Sequence, residues 1–426
     1  MLSKSTLAKL FVALLAVTPS LAVPMVERDN DKSPSNCKDA EPSKCSHAAE
    51  QKDKHNPQPS TPAERKRCVI KALGGNANDS PAINQAFKDC NNGGTVANAF
   101  TPINALNLTD VHIEFLGNVN LPQDIPYVQD IVANSKEFSG HWFRFIGKKL
   151  VWQGTKDVAT GWIDCKSHID YPLSSADRVV TLLAHGQAWW DANPAGKGGL
   201  PNRPHLITFK VEDSEIYSLK SRQPIGWQAR IKAKNLYVKD TVMETYTTGG
   251  YPFNSEFQIA KGVRLNGGAD GLGFSGSNIL AEDSYINNGD DCFAITNNSH
   301  NITMRRATCG GPGTHGLSIG SLGKSQAEFN NVSDIHWEDI TMIDALYGAR
   351  FKSWVGGQGI TENISWKNIR LYNVSYPIFI TQTYVDQNNP GVGRVDNGSV
   401  ILKDFVFEDW QGDVNSYQHG DGTCIS

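Results

Sequence analysis

The sequence lacks a long apolar run after its first 22 residues, lacks cysteines spaced as Cys-x-x-Cys, and carries little net charge. Without a further run of about 20 apolar residues, no transmembrane helix is expected. Without Cys-x-x-Cys spacing, a structural zinc site is not indicated. The formal net charge of −4 gives no indication of nucleic-acid binding. A mildly acidic protein can still hold a polyanion if its basic residues are concentrated in one groove.

The first residues have the pattern of a secretory signal peptide, which we assign to residues 1–22. Lys4 and Lys9 give a basic start, the run from Leu10 to Val17 is too short to span a bilayer, and Ala22 is a small residue suited to cleavage. A buried N-terminal helix is the alternative. We therefore expect a secreted, extracellular protein that does not reside in a membrane.

Cysteines and glycosylation sequons agree with export. Eight of each are present, as expected for an oxidising compartment. The cysteines are Cys37, Cys45, Cys68, Cys90, Cys165, Cys292, Cys309 and Cys424, and the sequons begin at Asn78, Asn107, Asn297, Asn301, Asn331, Asn363, Asn373 and Asn397.

Residues 23–67 differ in composition from the rest of the chain. They are charged, rich in Pro and Ser, and contain no aromatic side chain. Such a segment buries too little surface to offset its ordering entropy, so we expect it to be disordered or a propeptide. It ends in Lys66-Arg67, a dibasic pair suited to proteolytic processing. The alternative is a flexible tail that stays attached.

A short helix is predicted where the composition changes. Apolar residues recur at helical spacing between Asp79 and Cys90, behind Asp79 or Ser80 as N-cap and with Pro81 at the first helical position. We expect this helix to cap the end of a core, and a disulfide from Cys68 to Cys90 could hold it in place.

A repeated pattern follows residue 205. A polar residue precedes an aliphatic residue and a short β-rich run, with 43, 23, 33 and 29 residues between successive units. The units begin at Asn235-Leu236, Asn278-Ile279, Asn301-Ile302, Asp334-Ile335 and Asn363-Ile364. Several have a second short strand about seven residues later. Such strands bury little alone but form a continuous core when stacked as coils, which predicts an all-β parallel β-helix, a solenoid. The asparagines suit left-handed corners and ladders between coils. A β-sandwich is the alternative, although it would use more two-residue hairpins.

Four segments contain residues suited to chemistry, and their spacing is close to one coil. From Asp270 to Asp290 is 20 residues, from Asp291 to His315 is 24, and from His315 to Arg350 is 35. Stacking would bring three carboxylates, an imidazole and the cations of Arg350 and Lys352 into one groove. The segments are 265–271, 288–292, 313–321 and 348–352.

This set of residues suits glycoside hydrolysis. One carboxylic acid protonates the departing oxygen while a carboxylate activates water or attacks carbon. Adjacent carboxylates push their pKa values apart, so one can stay protonated. Arg350 and Lys352 alternate with Phe351, so on a strand both point to one face and can hold a sugar carboxylate. Each feature also has a simpler interpretation when it is considered alone. The Asp-Asp pair is typical of a turn, His315 of a loop, and the Arg-x-Lys sequence of a solvated strand face. Three aspartates could also form a calcium site.

Together and in this order, the four segments resemble the motifs of the polygalacturonase family, glycoside hydrolase family 28. The resemblance covers roughly residues 68–410 and implies a right-handed parallel β-helix of the pectin-lyase type, with residues 68–426 as the catalytic domain. Three features resemble fungal exo-acting members. They are the sequence Asn287-Asn288-Gly289-Asp290-Asp291-Cys292, the sequence Trp189-Trp190-Asp191 and the Cys68–Cys90 cap.

The resemblance also implies roles for individual residues. Asp290 matches the proton donor, Asp291 and Asp270 match the carboxylates that activate water, and His315 matches the histidine that maintains the donor's protonation. Arg350 and Lys352 match residues that grip the galacturonate carboxylate. Tyr384 resembles a tyrosine of the cleavage subsite. Cys292 and Cys309 match a disulfide beside the acid pair.

The chain departs from the family pattern in several places. The first motif reads Asn266-Gly-Gly-Ala-Asp270, Thr314 replaces Gly or Ser, and Phe351 replaces Ile. Residues 165–184 interrupt a sequence that would otherwise join Asp164 to His185. We interpret this insert as a retained intron, and a long surface loop is the alternative.

The implied activity is inverting hydrolysis of α-1,4-galacturonosidic bonds in homogalacturonan, the backbone of pectin, with release of galacturonate from a chain end. We expect a monomer that needs neither metal nor other cofactor. The alternatives are endo action, a rhamnogalacturonan or xylogalacturonan substrate, elimination by a pectate- or pectin-lyase mechanism, and a non-catalytic wall-binding β-helix.

Overall fold

The computed structural model describes residues 68–70, 73, 78–90, 101–122, 124–158, 160–164, 185–192, 200–245, 270–311, 313–384, 394–396 and 398–414. The predicted signal peptide, the segment 23–67, the inserted residues 165–184 and the first-motif residues Asn266 to Ala269 lie outside these ranges, as do Cys37, Cys45, Cys165 and Cys424. None of the helices in the described ranges has the length and apolar character needed to cross a membrane.

Strands dominate the described residues, and helices are few. The helices are α1 (Ser80–Asp89), α2 (Ile125–Asn134) and α3 (His185–Asp191). The strands are β1 (Ile103–Glu114), β2 (Val119–Asn120), β3 (His141–Gln153), β4 (Trp162–Asp164), β5 (His205–Tyr217), β6 (Lys220–Arg222), β7 (Ala229–Lys239), β8 (Val242–Glu244), β9 (Leu272–Glu282), β10 (Tyr285–Asn287), β11 (Asp291–Gly310), β12 (Gly316–Leu322), β13 (Phe329–Ile343), β14 (Tyr347–Trp354), β15 (Gln358–Val374), β16 (Tyr376–Tyr384) and β17 (Val400–Val414).

The strands stack as coils of a parallel solenoid. Each long strand pairs in parallel with the corresponding strand of the next coil, in the order β1, β3, β5, β7, β9, β11, β13, β15 and β17. Shorter strands form a parallel ladder of their own from β2 through β10 to β11. This is a right-handed parallel β-helix, as predicted, and it excludes the sandwich, which would need antiparallel pairs.

Alternation along each strand places one set of side chains inside the coils. In β7, Ala229, Ile231 and Ala233 are buried while the residues between them are exposed, as expected for a period of two. Equivalent residues of neighbouring coils therefore lie above one another. Trp337, Trp366 and Phe407 form such a column, with rings parallel and centroids 4.9 and 4.8 Å apart.

Asparagine and aspartate form the corners between strands. Asn235, Asn278, Asn301 and Asn363 have φ values of 59, 58, 54 and 55°, the left-handed region that Asn tolerates better than most residues. Their side chains bond between coils, since Asn278 Nδ2 donates to Asn235 Oδ1 at 2.8 Å and Asn301 Nδ2 donates to Asn278 Oδ1 at 2.9 Å. The predicted ladder is therefore present.

One detail differs from the expected pairs of short strands. The runs at Ile335 and Ile340 belong to a single element, β13, which pairs with β15 on both sides of Asp339. Asp339 has φ 56°, so the chain turns a corner at one residue and pairing resumes immediately.

The predicted cap is α1, which begins after Asp79 and has Pro81 in its first turn. Ile83, Ala86 and Phe87 are buried, and the Phe87 ring meets that of Phe145 edge-on at 5.7 Å. Cys68 and Cys90 form a disulfide. The helix therefore covers the start of the core and is held at its C-terminal end.

We predict that Asn278→Ala destabilises the fold by about 1–3 kcal/mol. The substitution removes two ladder hydrogen bonds, and alanine at positive φ has no polar side chain that could stabilise this backbone conformation. Asn278→Gly should cost less, since glycine accepts this backbone conformation. Urea unfolding of both variants tests this. Equal losses would show that backbone conformation contributes little at this corner.

A charged network lies on the solenoid surface away from the four segments. Tyr237 donates to Glu282 Oε1 at 2.5 Å, and Arg305 Nε and Arg306 each contact Glu282 Oε2 at 2.6 Å. Burial alone would raise the pKa of Glu282, but the hydrogen bonds from Tyr237 and the two arginines outweigh burial and lower it to about 2. The carboxylate thus stays ionised in acid and links three coils.

Because the folded-state pKa of Glu282 is depressed from 4.5 to about 2, its contribution to stability should be complete above about pH 4.5 and be lost as pH falls through 2. We predict that Glu282→Gln lowers the free energy of unfolding by about 2 kcal/mol near pH 6, and that the difference from wild type shrinks towards pH 2. Glu408→Gln, in an exposed pair with Lys367, should change it by about 0.5 kcal/mol or less. Denaturant melts across this pH range test both; a gap that is constant with pH would contradict the assignment.

Candidate active site

The centre of the site is a buried contact between the second and third segments. Asp290 immediately precedes β11 and His315 immediately precedes β12, so parallel stacking places them together. His315 Nδ1 lies 2.8 Å from Asp290 Oδ1, and both residues are almost fully buried. The backbone N–H of Asp291 also donates to Asp290 Oδ1 at 2.8 Å. One oxygen of Asp290 is therefore fixed in position.

Asp291 is held by side chains from two further coils. Lys352 Nζ lies 2.8 Å from Oδ2, Arg350 donates to Oδ1 at 3.4 Å, and the Ser318 hydroxyl donates to Oδ1 at 2.5 Å. Arg350 and Lys352 come from β14, on the face of the strand opposite the core residue Phe351. The expected same-face arrangement of the two cations is therefore present, and both cations contact Asp291.

Asp270, which ends the first segment, joins the same cluster. It hydrogen-bonds Asp290 and interacts with the charges of Asp291 and Lys352. Withdrawal of its carboxyl group from water, then repulsion from Asp290 and Asp291, raises the pKa of Asp270 well above 3.8. In its neutral form Asp270 can donate this hydrogen bond to Asp290, whose own pKa is lowered.

The other two carboxylates are shifted in opposite directions. Burial would raise the pKa of Asp290, but His315 and Lys352 outweigh burial and lower it. Burial raises the pKa of Asp291 against the pull of Lys352. Three carboxylates in one site thus share protons unequally, which is the condition for separate acid and base roles. The direction of these shifts favours a proton on Asp270 over a proton on Asp290, its hydrogen-bond partner.

Tyr384 lies beside the cations at the end of β16. Lys352 Nζ is 5.7 Å from the centre of its ring, and the ring meets Trp354 edge-on at 5.4 Å. Arg350 is stacked over the Tyr347 ring at 4.7 Å, and burial lowers its pKa to about 10, which still leaves it charged in acid. The structure therefore brings all seven predicted catalytic and binding residues to one place.

The backbone around the acids is braced by side chains to which the sequence analysis assigned no role. Asn288 donates to the carbonyl of Asp291 at 2.8 Å. Thr314 Oγ1 lies 2.6 and 2.7 Å from the carbonyl oxygens of Asn288 and Gly310. Thr314 is thus compatible with the site despite departing from the family pattern, and the predicted disulfide from Cys292 to Cys309 is confirmed.

Sequence reasoning also missed Ser318 and Arg203. Ser318 stands in the third segment, three residues after His315, and its position there was the available signal. Arg203 precedes β5, far outside the four segments, yet the charge of Asp290 acts on it. No motif marks it, so only the fold could show that it lies near the acids.

Calcium was an alternative for the three aspartates, and ligand atoms of Asp290, Asp291 and His315 do lie within 4.8 Å of one another. Calcium takes six to eight oxygen ligands. Here one member of the cluster offers nitrogen, and Asp291 already contacts two cations. The donor set therefore suits proton transfer beside an anionic ligand better than calcium.

A parallel β-helix with three clustered carboxylates, a histidine and two cations defines a class: glycoside hydrolases that act through paired carboxyl groups. Comparison with known proteins gives the family. The profile described as Glycosyl hydrolases family 28 matches residues 134–423, which is most of the chain. The chain belongs to this family, as the motif resemblance indicated.

Relatives and solved structures agree with this assignment. Probable exopolygalacturonase C of Neosartorya fischeri is 40% identical over 382 residues, which cover 87% of this chain and 78% of that protein. Exopolygalacturonase of Cochliobolus carbonum is 30% identical over 356 residues, 77% of this chain and 70% of that protein. The crystal structure of endo-xylogalacturonan hydrolase from Aspergillus tubingensis has a TM-score of 0.62 at 21% identity, covering 82% of this chain and 86% of that one. This last likeness concerns the fold.

We predict that one site carboxyl titrates well above pH 3.8 and that it belongs to Asp270, because burial and two neighbouring carboxylates favour its neutral form. The measurement is a pH titration of aspartate carboxyl carbons by NMR. Asp270→Asn should remove the high-pH transition, whereas Asp404→Asn, at a mostly exposed aspartate, should leave it. Persistence of that transition in Asp270→Asn would assign the proton to Asp290 or Asp291 instead.

Proposed function

We propose that this protein is a secreted hydrolase that cleaves α-1,4-galacturonosidic bonds of homogalacturonan with inversion and releases galacturonate from a chain end. The observation that carries the proposal is the placement of Arg350 and Lys352 against the acid cluster. Two cations beside the reacting carboxylates suit a substrate that carries a carboxylate on each sugar. The names of the curated relatives support exo action.

In this proposal Asp290 is the general acid. Asp290 receives its proton from Asp270 through the hydrogen bond between the two carboxyl groups. His315 contacts Asp290 Oδ1 and so keeps the carboxyl group of Asp290 in position. As the glycosidic bond breaks, the proton passes from Asp290 to the departing oxygen. The developing positive charge on the sugar is stabilised by the nearby carboxylates.

Asp291, together with Asp270 after it has given up its proton, activates the water that attacks from the opposite face. Water transfers its hydroxyl to the anomeric carbon, and its proton passes to a carboxylate. Arg350 and Lys352 contact Asp291. A bound galacturonate carboxylate would share these cations, and Tyr384 would line the same subsite.

The test is incubation of the purified protein with polygalacturonate in the presence of chelator, with products resolved by size. Wild type should release saturated monogalacturonate steadily. Asp290→Asn should lower kcat by about 10²–10⁴-fold, the usual contribution of a general acid. Asp404→Asn should retain wild-type kcat, because the substitution lies at a mostly exposed carboxylate.

Each other result corrects a specific part of the proposal. A ladder of oligomers would retain hydrolysis and exclude exo action. Unsaturated products, or loss of activity with chelator, would indicate elimination. Products only from rhamnogalacturonan or xylogalacturonan would change the substrate, and binding without any products would leave a wall-binding protein.

A further inference from the structure

A row of aromatic side chains, Trp227 and His205, begins on the coil next to Asp270. It extends along the solenoid in the direction away from Arg350 and Lys352. The backbone N–H of Gln228 donates to the carbonyl of Asp270 at 3.0 Å, so Trp227 lies on the coil next to the acid. The backbone N–H of Trp227 in turn donates to His205 Nδ1 at 3.1 Å. The rings of the two residues stack with their centroids 4.2 Å apart and their planes at 13° to each other. The half-buried indole is therefore held in a fixed position beside the acids.

A second row lies on the outer face of the adjoining strands. In this row each residue is the register partner of the next one, which lies on the neighbouring parallel strand. The row is Arg144, Thr208, Arg230, Gly273, Ala294, Ser318 and Arg350. Arg230 and Arg350 are four coils apart, about 19 Å at a strand spacing of about 4.8 Å. The two arginines thus stand on either side of the acids.

Small residues separate these two arginines. At Gly273 the backbone does not require so small a residue. A Cβ added at Gly273 would meet only the Ala229 carbonyl at 3.6 Å, an ordinary contact distance. At Gly276, three residues later, it would meet backbone at 1.9 Å. Gly273 therefore leaves space on the outer surface, between Arg230 and the acids, where a ligand can lie.

Positive charge converges on this space. Arg203 and Arg230 both act on the His205 ring, and Asp290 acts on Arg203. Burial, then His141 and the two arginines, lowers the pKa of His205 to about 3, so the imidazole is neutral above that pH. The region between Trp227 and the acids is therefore cationic, although the whole chain has a formal charge of −4.

We propose that Trp227, His205, Arg203 and Arg230 form a second uronate-binding subsite, which holds the sugar on the Asp270 side of the cleaved bond. The guanidinium groups contact the sugar carboxylate, and the fixed indole packs against the apolar C–H face of the ring. Arg350 and Lys352 take the carboxylate of the sugar on the other side. This inference rests on the proposed function, since it assumes an acidic polysaccharide in the same cleft.

The test is binding of trigalacturonate, measured by calorimetry in the Asp290→Asn background so that no turnover occurs. Arg230→Gln should raise Kd about tenfold, the loss expected for one charge-assisted contact. Lys234→Gln is the matched control. Lys234 is exposed on the same face of β7, four residues further from the acids, and pairs with Glu212 at 3.3 Å. It should change Kd by less than about twofold.

Trp227→Ala should weaken binding by a similar factor, and Trp227→Phe should restore most of it. Thermal melts show whether each variant is folded, and Trp227→Phe keeps the test informative if Trp227→Ala is not. Equal Kd values for Arg230→Gln and Lys234→Gln would overturn the subsite. Hydrolysis of polygalacturonate by wild type, measured separately, shows whether the proposed function stands when the subsite does not.

Discussion

In-register parallel pairing of successive coils decides where the side chains of this protein lie. Each residue of a coil sits about 4.8 Å from its equivalent on the next, so residues that are 20 or more positions apart in the chain become neighbours. The register depends on a continuous column of stacked apolar side chains, such as the buried Trp337 and Trp366 and the half-buried Phe407. It depends equally on the left-handed corners of Asn235, Asn278 and Asn301, whose amides bond from coil to coil. A one-residue slip would turn the core side chains outward.

Electrostatic compensation is what makes three carboxylates tolerable in one place. Lys352 and Arg350 contact Asp291, and His315 contacts Asp290. Asp270 hydrogen-bonds Asp290, and burial together with the two neighbouring carboxylates raises the pKa of Asp270. Each carboxylate therefore meets a different partner. Because these partners differ, the pKa values of the three groups separate, and separation of pKa values is what a site needs to hold an acid and a base together.

The same stacking explains why a chain with a net negative charge can be suited to an anionic ligand. Acidic residues at the end of β9, such as Glu282 and Asp283, are paired with arginines of the next coil. The single outward row that passes the acids holds Arg144, Arg230 and Arg350 instead. Total charge says nothing about this separation, which arises from which residues the register places in one row.

The sequence by itself determined the class of fold, the cap with Asp79 and Pro81, and the four segments of the site, because these depend on local periodicity and on residue types repeated at coil length. It left calcium and the sandwich open, and it gave no sign of Arg203 or of the Trp227–His205 stack. Those depend on which coils become neighbours and on how charges 60 to 90 residues apart in the chain meet. Only the tertiary structure decided that Asp291 contacts both cations and that the pKa of Asp270 is raised while that of Asp290 is lowered. Burial and pairwise distance set those properties, and neither can be read from spacing along the chain.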